Sequence, residues 1–266
     1  MPNQAVFVTG AAAGIGRAIA ERFVAAGWTV GMYDIDADAV QATATALGGD
    51  TLTGAFDVTD ADGWRTALEV FTTATGRLDV LVNNAGILVS GPLAEISLTA
   101  QHAVLDVNVK GVLNGCYCAL PYLKQTPGSQ VINMASASAL YGQPGLAAYG
   151  ASKAAVRSLT EALDLEWRSL GIAVHDLLPL FVSTAMMDEV NSGSSGAKTL
   201  GVHLTPADVA EQVWRTVHHR PRLPQPHVLV GWQTKLLSAG TAVSPAWLNR
   251  LVAGRISKAD SLGQAH

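Results

Sequence analysis

The sequence predicts an α/β fold: a doubly wound, mostly parallel seven-stranded sheet with helices on both faces, of Rossmann type. Three observations predict it. Short, almost continuously apolar runs alternate with helical patterns along the chain, as in parallel sheets covered on both faces. A glycine-rich turn follows the first such run and opens a helix. No linker of shifted composition divides the 266 residues, so 1–266 reads as a single domain.

The elements follow in order. Ala5 to Thr9 is a short buried strand, and Gly14 to Ala26 a helix with Ile15, Ile19 and Phe23 on one side. Thr29 to Tyr33 and Thr51 to Phe56 are the next strands. Between them lies an Ala/Thr-rich helix, Ala37 to Leu47. Asp60 to Thr75 is helical, and Leu78 to Val82 is a fourth strand. A long helix spans Thr99 to Leu123, its pattern interrupted by Gly111 and Gly115. Gln130 to Met134 is the fifth strand, Tyr149 to Leu170 a second long helix, and Ile172 to Leu178 the sixth strand. Pro206 starts a helix over Thr205 to His219 from its first position. His227 to Val230 is the seventh strand. Two segments break the rhythm. Residues 183–204 hold the Ser/Gly-rich stretch 191–198 and are placed as a flexible substrate lid. Residues 245–266 form a tail whose Trp247, Leu248, Leu251 and Val252 suit packing on the core or on another subunit.

Composition narrows the function classes. With 49% apolar and 14% charged residues, the chain can bury a large core, which excludes global disorder. Seventeen basic side chains against 21 acidic ones give a net charge of −4, and no Lys/Arg run offers the positive stripe that nucleic acid requires. Cys116 and Cys118, two apart on a helix, make neither a disulfide framework nor a cysteine zinc site. The seven histidines form no zinc pattern, and His175 reads as a packed strand residue, so no metal is expected. The start of the chain lacks the pattern of a signal peptide, and no apolar run is long enough to span a bilayer. A cytoplasmic protein without a membrane span is expected.

The segment Thr9-Gly10-Ala11-Ala12-Ala13-Gly14-Ile15-Gly16 carries the cofactor signal. Gly10 permits a sharp turn, Gly14 lets backbone approach a pyrophosphate, and Gly16 lets helix and strand pack closely. Ala13 and Ile15 lie between them at the helix start, where free amides meet an anion. Asp34 ends the second strand, placed to accept hydrogen bonds from ribose hydroxyls and to repel a 2′-phosphate. No Lys or Arg stands beside it, which favours NAD over NADP, although Arg17 would complicate that preference if it reached the ribose from the helix start. Asp57 and Val58 end the third strand, suited to the adenine. Asn83, Asn84, Ala85 and Gly86 follow the fourth, suited to the cofactor ribose.

The chemical signal is Tyr149 and Lys153, four apart on one helix face, with Ser136 at the end of the fifth strand. Hydride transfer to or from a carbonyl carbon needs a proton donor or acceptor at oxygen, and a phenol serves. Free tyrosine titrates near ~10, so a nearby ammonium and the positive oxidised nicotinamide are expected to favour the phenolate. Lys153 can also bond the nicotinamide ribose, and Ser136 can donate to the substrate oxygen. Asn108, a polar amide in an apolar helix, needs a partner: a backbone carbonyl, or a water behind Lys153.

This ordered set resembles the short-chain dehydrogenase/reductase family in its common short-subunit, NAD-preferring form. The resemblance runs from Ala5 to about Gly231. It implies a catalytic tetrad of Asn108, Ser136, Tyr149 and Lys153, B-face hydride transfer, and a homotetramer or homodimer paired through the two long helices. It further implies that Pro179, Val182 and Thr184 line the nicotinamide end, with Thr184 on the carboxamide. One position departs from the family: Leu180 stands where a glycine usually follows Pro179, which would narrow the site or demand a different backbone angle.

The substrate side draws on Ser136, Ser138, Leu140, Tyr141, Gln143, Tyr149, Leu88, Val89 and the loop after Thr184, with Met186 and Met187 as adaptable surfaces. This apolar set points to a hydrophobic secondary alcohol or ketone, with polyols still open. His203 and Lys198 are the nearby cations. Two other classes stay open: a non-catalytic nucleotide-binding regulatory or scaffold protein, and a lyase or epimerase that uses NAD transiently.

Overall fold

The computed structural model describes residues 3–184, 204–219, 225–243, 245 and 247. Met186, Met187, Lys198 and His203, most of the expected lid and nearly all of the expected tail lie outside them. The described strands are β1 (Ala5–Thr9), β2 (Thr29–Asp34), β3 (Thr51–Ala55), β4 (Val80–Asn83), β5 (Gln130–Met134), β6 (Ala173–Pro179) and β7 (His227–Val230). The helices are α1 (Gly14–Val24), α2 (Ala37–Leu47), α3 (Ala61–Thr75), α4 (Leu98–Leu105), α5 (Gly111–Leu123), α6 (Ala147–Trp167), α7 (Pro206–His218) and α8 (Trp232–Val243).

All seven strands pair in parallel, in the order β3-β2-β1-β4-β5-β6-β7. The order reverses between β1 and β4, and a crevice opens there at the carboxyl ends of the strands. Period-two alternation splits the core into two layers. Val6, Val8, Val30, Met32 and Ile132 face α1, α2 and α7. Ala5, Phe7, Leu81, Val131 and Val174 face α3, α5 and α6. Phe7 stacks on Tyr33 at 4.2 Å between ring centroids and meets Phe71 edge-on at 5.4 Å. A fully buried ring of this kind contributes roughly 1.5–3 kcal/mol.

Local chemistry sets the helix starts. Asp36 caps α2 by accepting from Ala39 N at 2.9 Å, and Asp60 caps α3 by accepting from Asp62 N at 3.0 Å. Thr205 and Asp208 form a reciprocal capping box at α7, with Pro206 in its first turn. The start of α1 differs: Ala13 makes no side-chain cap, so its first amides stay available to a ligand.

Two elements depart from the sequence expectation. The long helix over 99–123 is broken by a π-helical turn, Asp106–Lys110, between α4 and α5. The second departure is α8, which the sequence did not reveal. Its Thr234 is wholly buried and donates to Val230 O at 2.7 Å, whereas Trp232 and Leu236 are exposed. This inverted polarity defeats a hydrophobic-periodicity reading. No helix among the described residues is long and apolar enough to cross a membrane.

Candidate active site

The crevice at the strand-order reversal holds a cavity of about 450 Å³. Its wall is built from strand ends: Thr9 and Gly10 after β1, Asp34 after β2, Asp57 and Val58 after β3, Asn84 to Gly86 after β4. Ser136 and Ser138 after β5, Pro179, Val182 and Thr184 after β6, and Tyr149 and Lys153 from α6 complete it.

The glycine turn is shaped by contacts that a side chain would destroy. Gly10 has φ +65°, and a Cβ there would lie 2.9 Å from Ala85 Cα. A Cβ on Gly16 would fall 2.0 Å from Gly10 O and 2.6 Å from Asn84 Nδ2. Asn84 locks the turn, its Nδ2 donating to Thr9 O at 2.9 Å and Gly10 O at 3.1 Å. Asp34 reaches the same turn, accepting from Ala12 N at 3.0 Å. Asp57 accepts from Thr59 N at 2.8 Å, which holds its carboxylate at the end of β3. Ala13, Gly14 and Ile15 line the cavity, and Gly16 stands behind it. Arg17 is exposed and is absent from the cavity wall.

Tyr149 and Lys153 come together with Ser136 as expected from their spacing. Lys153 is 5% exposed, and its Nζ donates to Met134 O at 2.8 Å. It stands 5.6 Å from the centroid of the Tyr149 ring. Burial pushes the Tyr149 phenol above its ordinary value, and a hydrogen bond with Ser136 pulls the other way. In this geometry burial is the larger influence on the phenol, and one N–H of the Lys153 ammonium is given to Met134 O. Ser136 Oγ also bonds Ser138 Oγ at 3.2 Å.

Burial pushes the Lys153 ammonium down to about 8. An unfolded lysine titrates near ~10.4, so between these values the unfolded chain holds the extra proton. Stability should therefore rise with pH across the window from about 8 to ~10.4, because the buried charge is lost there. Lys153→Met should flatten that rise in denaturant titrations at stepped pH. An unchanged slope would exclude Lys153 as its source.

Asn108 is wholly buried in the π-helical turn. Its Oδ1 accepts from Ile87 N at 2.9 Å, and its Nδ2 donates to Ile87 O at 2.9 Å and Ser152 Oγ at 3.0 Å. Of the alternatives, its side chain takes the backbone partner. It clamps the segment after β4 beside Lys153: a Cβ on Gly86 would lie 3.1 Å from Asn108 Oδ1 and 3.5 Å from Lys153 Nζ.

Other expected residues fall elsewhere. Asn83 turns into the core, its Nδ2 donating to Asn133 Oδ1 at 2.9 Å. Leu88 reaches the cavity wall, but Val89, Leu140, Tyr141 and Gln143 do not. Leu140 packs against the α3–α5–α6 core layer, and Tyr141 Oη donates to Gln143 Oε1 at 3.4 Å. A 3-10 turn over Ala137–Ala139 redirects the chain after β5 and carries these two away. Sequence reasoning missed Ile87, Val107, Leu146 and Phe181 as wall residues. Leu146 lies one helical turn before Tyr149, which was a usable signal. Leu180 is buried and lines the cavity, but the left-handed backbone falls one residue later, on Phe181 at φ +29°. His175 is packed, its Nδ1 within 3.2 Å of Gln225 O. Among the described residues no cluster of His, Cys, Asp or Glu suits a metal ion. Both cysteines are buried and free, and burial pushes the Cys116 thiol up to about 12.

A parallel doubly wound sheet, a glycine turn feeding an uncapped helix, and a Ser–Tyr–Lys group in the same crevice define a dinucleotide-type oxidoreductase architecture. The profile of the short chain dehydrogenase family matches residues 4–195, and the chain belongs to that family of oxidoreductases. It is 32% identical over 199 residues to a D-threitol dehydrogenase of Mycolicibacterium smegmatis, covering 74% of this chain and 76% of that one. It is 36% identical over 188 residues to a 3-alpha-(or 20-beta)-hydroxysteroid dehydrogenase of Mycobacterium bovis, covering 71% and 72%. A short chain dehydrogenase/reductase of Burkholderia phymatum, solved in complex with NAD, superposes with a TM-score of 0.80 at 26% identity, covering 90% of this chain and 92% of that one.

Proposed function

We propose that this chain is an NAD-dependent oxidoreductase that interconverts a hydrophobic secondary alcohol and its ketone. The observation that carries the proposal is the convergence of Tyr149, Lys153 and Ser136 on the cavity that the glycine turn opens. The residues fit the cofactor. The cradle at Gly10 and Gly16 admits no Cβ, and the first amides of α1 are uncapped, as a pyrophosphate requires. Asp34 would hold the adenine ribose, Asp57 and Val58 the adenine, and Asn84 to Gly86 with Lys153 the second ribose. Pro179, Val182 and Thr184 would hold the carboxamide end.

Bound there, NAD would supply the acceptor for the hydride that leaves the carbinol carbon, or in its reduced form the donor. The chain's own residues manage the oxygen. Ser136 donates to it and orients it. Tyr149 takes the hydroxyl proton as the C–H pair departs and the carbonyl forms; in reduction it returns that proton to the alkoxide oxygen. Lys153 fixes the ribose, and its charge opposes the burial that holds the phenol protonated. Asn108 acts through others, by holding the segment after β4 in place beside Lys153. Apolar side chains left exposed on α4, α5 and α6, among them Leu98, Leu113, Tyr117 and Leu165, support assembly as a homodimer or homotetramer.

The cofactor assignment is tested by titrating NADH and NADPH against wild type and Asp34→Ala. Wild type should bind NADH at least about tenfold more tightly, the cost of setting a 2′-phosphate against a carboxylate. The variant should lose most of that preference. Equal wild-type affinities would reject it.

A further inference from the structure

We infer that Phe181 is the specificity-determining wall of the site, selecting secondary alcohols and ketones that carry a flat apolar group beside the reacting carbon over polyols. The inference rests on the oxidoreductase reading above and names its substrate class.

Phe181 is the only described non-glycine residue with positive φ, at +29°. A bulky side chain is strained there and persists only where its surroundings over-determine it. They do so from both sides. Leu180 is buried before it. After it, Val182 bridges Leu204 in parallel and Ser183 N donates to Leu204 O at 2.9 Å. The ring itself joins a small apolar cluster of Leu88, Leu146 and Tyr149, separate from both core layers. It is only half-buried and lines the cavity, so part of it faces incoming substrate.

The chemistry of that wall is one-sided. Leu88, Leu146, Leu180 and Phe181 offer no hydrogen-bonding side chain next to the Tyr149 ring. On the cavity wall Ser136 and Ser138 are bonded to each other at 3.2 Å, and the polar pair Tyr141 and Gln143 is bonded to itself and stands off the wall. A second hydroxyl pressed against this wall would lose water without gaining a partner. An aromatic or alicyclic substituent would instead bury its face against the phenyl ring. The strained angle thus places the flat face of an aromatic side chain next to the group proposed to handle the proton.

The test compares oxidation of 1-phenylethanol and meso-2,3-butanediol with NAD by wild type, Phe181→Ala and Phe181→Leu. Wild type should favour 1-phenylethanol in kcat/KM by at least about tenfold, and the alanine variant should lose about tenfold of that preference. Leucine, which keeps apolar bulk, should retain more of it than alanine. Calorimetric titration of acetophenone into the NADH complex reads the same wall without turnover, and its Kd should rise in Phe181→Ala. A wild type that favours the diol, or an alanine variant with undiminished preference and acetophenone affinity, overturns the inference. Tight, Phe181-dependent acetophenone binding without any turnover would support the wall and reject the redox reading.

Discussion

Tyr149→Phe should lower kcat by roughly 10²–10⁴-fold, the range a positioned proton donor supplies, while NADH still binds. The ring should stay where it is, because it packs against Leu88 and Leu146 and phenylalanine fills the same space. Only the hydroxyl is lost, together with its hydrogen bond to Ser136. That separation makes the variant informative. A fall in turnover with preserved NADH fluorescence titration assigns the proton to Tyr149. Because burial holds the phenol above its ordinary value, wild-type oxidation should also climb as pH rises, and this climb should be missing from whatever activity Tyr149→Phe retains. A variant with wild-type turnover would remove Tyr149 from the chemistry.

Gly16→Ala should damage the cofactor turn and the fold together. Its new methyl would sit 2.0 Å from Gly10 O and 2.6 Å from Asn84 Nδ2. Neither neighbour can give way freely. Gly10 O is backbone, held by the Asn84 amide at 3.1 Å, and that amide also binds Thr9 O. Moving α1 away from β1 is the remaining escape, and overpacking of this kind typically costs about 1–3 kcal/mol. It also withdraws the helix amides from the pyrophosphate. Denaturant titration and NADH titration should both report the loss. Gly142, whose Cβ would meet nothing within 4 Å, is the matched control, and its alanine variant should stay within about 0.5 kcal/mol of wild type. A Gly16→Ala protein with wild-type stability and cofactor affinity would contradict the close helix–strand approach.

Most of this arrangement is legible in the sequence where one residue's chemistry and the end of a strand coincide. Ala5 to Thr9, Gln130 to Met134 and His227 to Val230 are bounded as strands just where their apolar runs stop. Tyr149, Lys153 and Ser136 are legible because a helix period and a strand end fix their direction. What is hidden depends on tertiary contacts. Within 99–123 the sequence pattern is interrupted at Gly111 and Gly115, both past the π-helical turn itself. The π-helical turn there accompanies Asn108 turning inward to bond both backbone groups of Ile87, a partner 21 residues away. Asn83 and Asn84 look alike in sequence, yet the pleat sends Asn83 into the core and the turn sends Asn84 to the glycines. Tyr141 and Gln143 are kept off the cavity wall by a three-residue 3-10 turn that Ser136 caps, a role its place at a strand end does not announce. Leu180 in place of the family's glycine signals an altered backbone angle, but the angle falls one residue later, on Phe181.

The most direct test of the account follows a label. Wild type is given NAD and 1-phenylethanol carrying deuterium on the carbinol carbon, and the reduced cofactor is analysed by mass spectrometry. The deuterium should arrive in the nicotinamide ring of NADH without dilution by solvent hydrogen, while the hydroxyl proton exchanges with water through Tyr149. NADH formed without the label, or acetophenone formed with no NADH at all, would contradict the account.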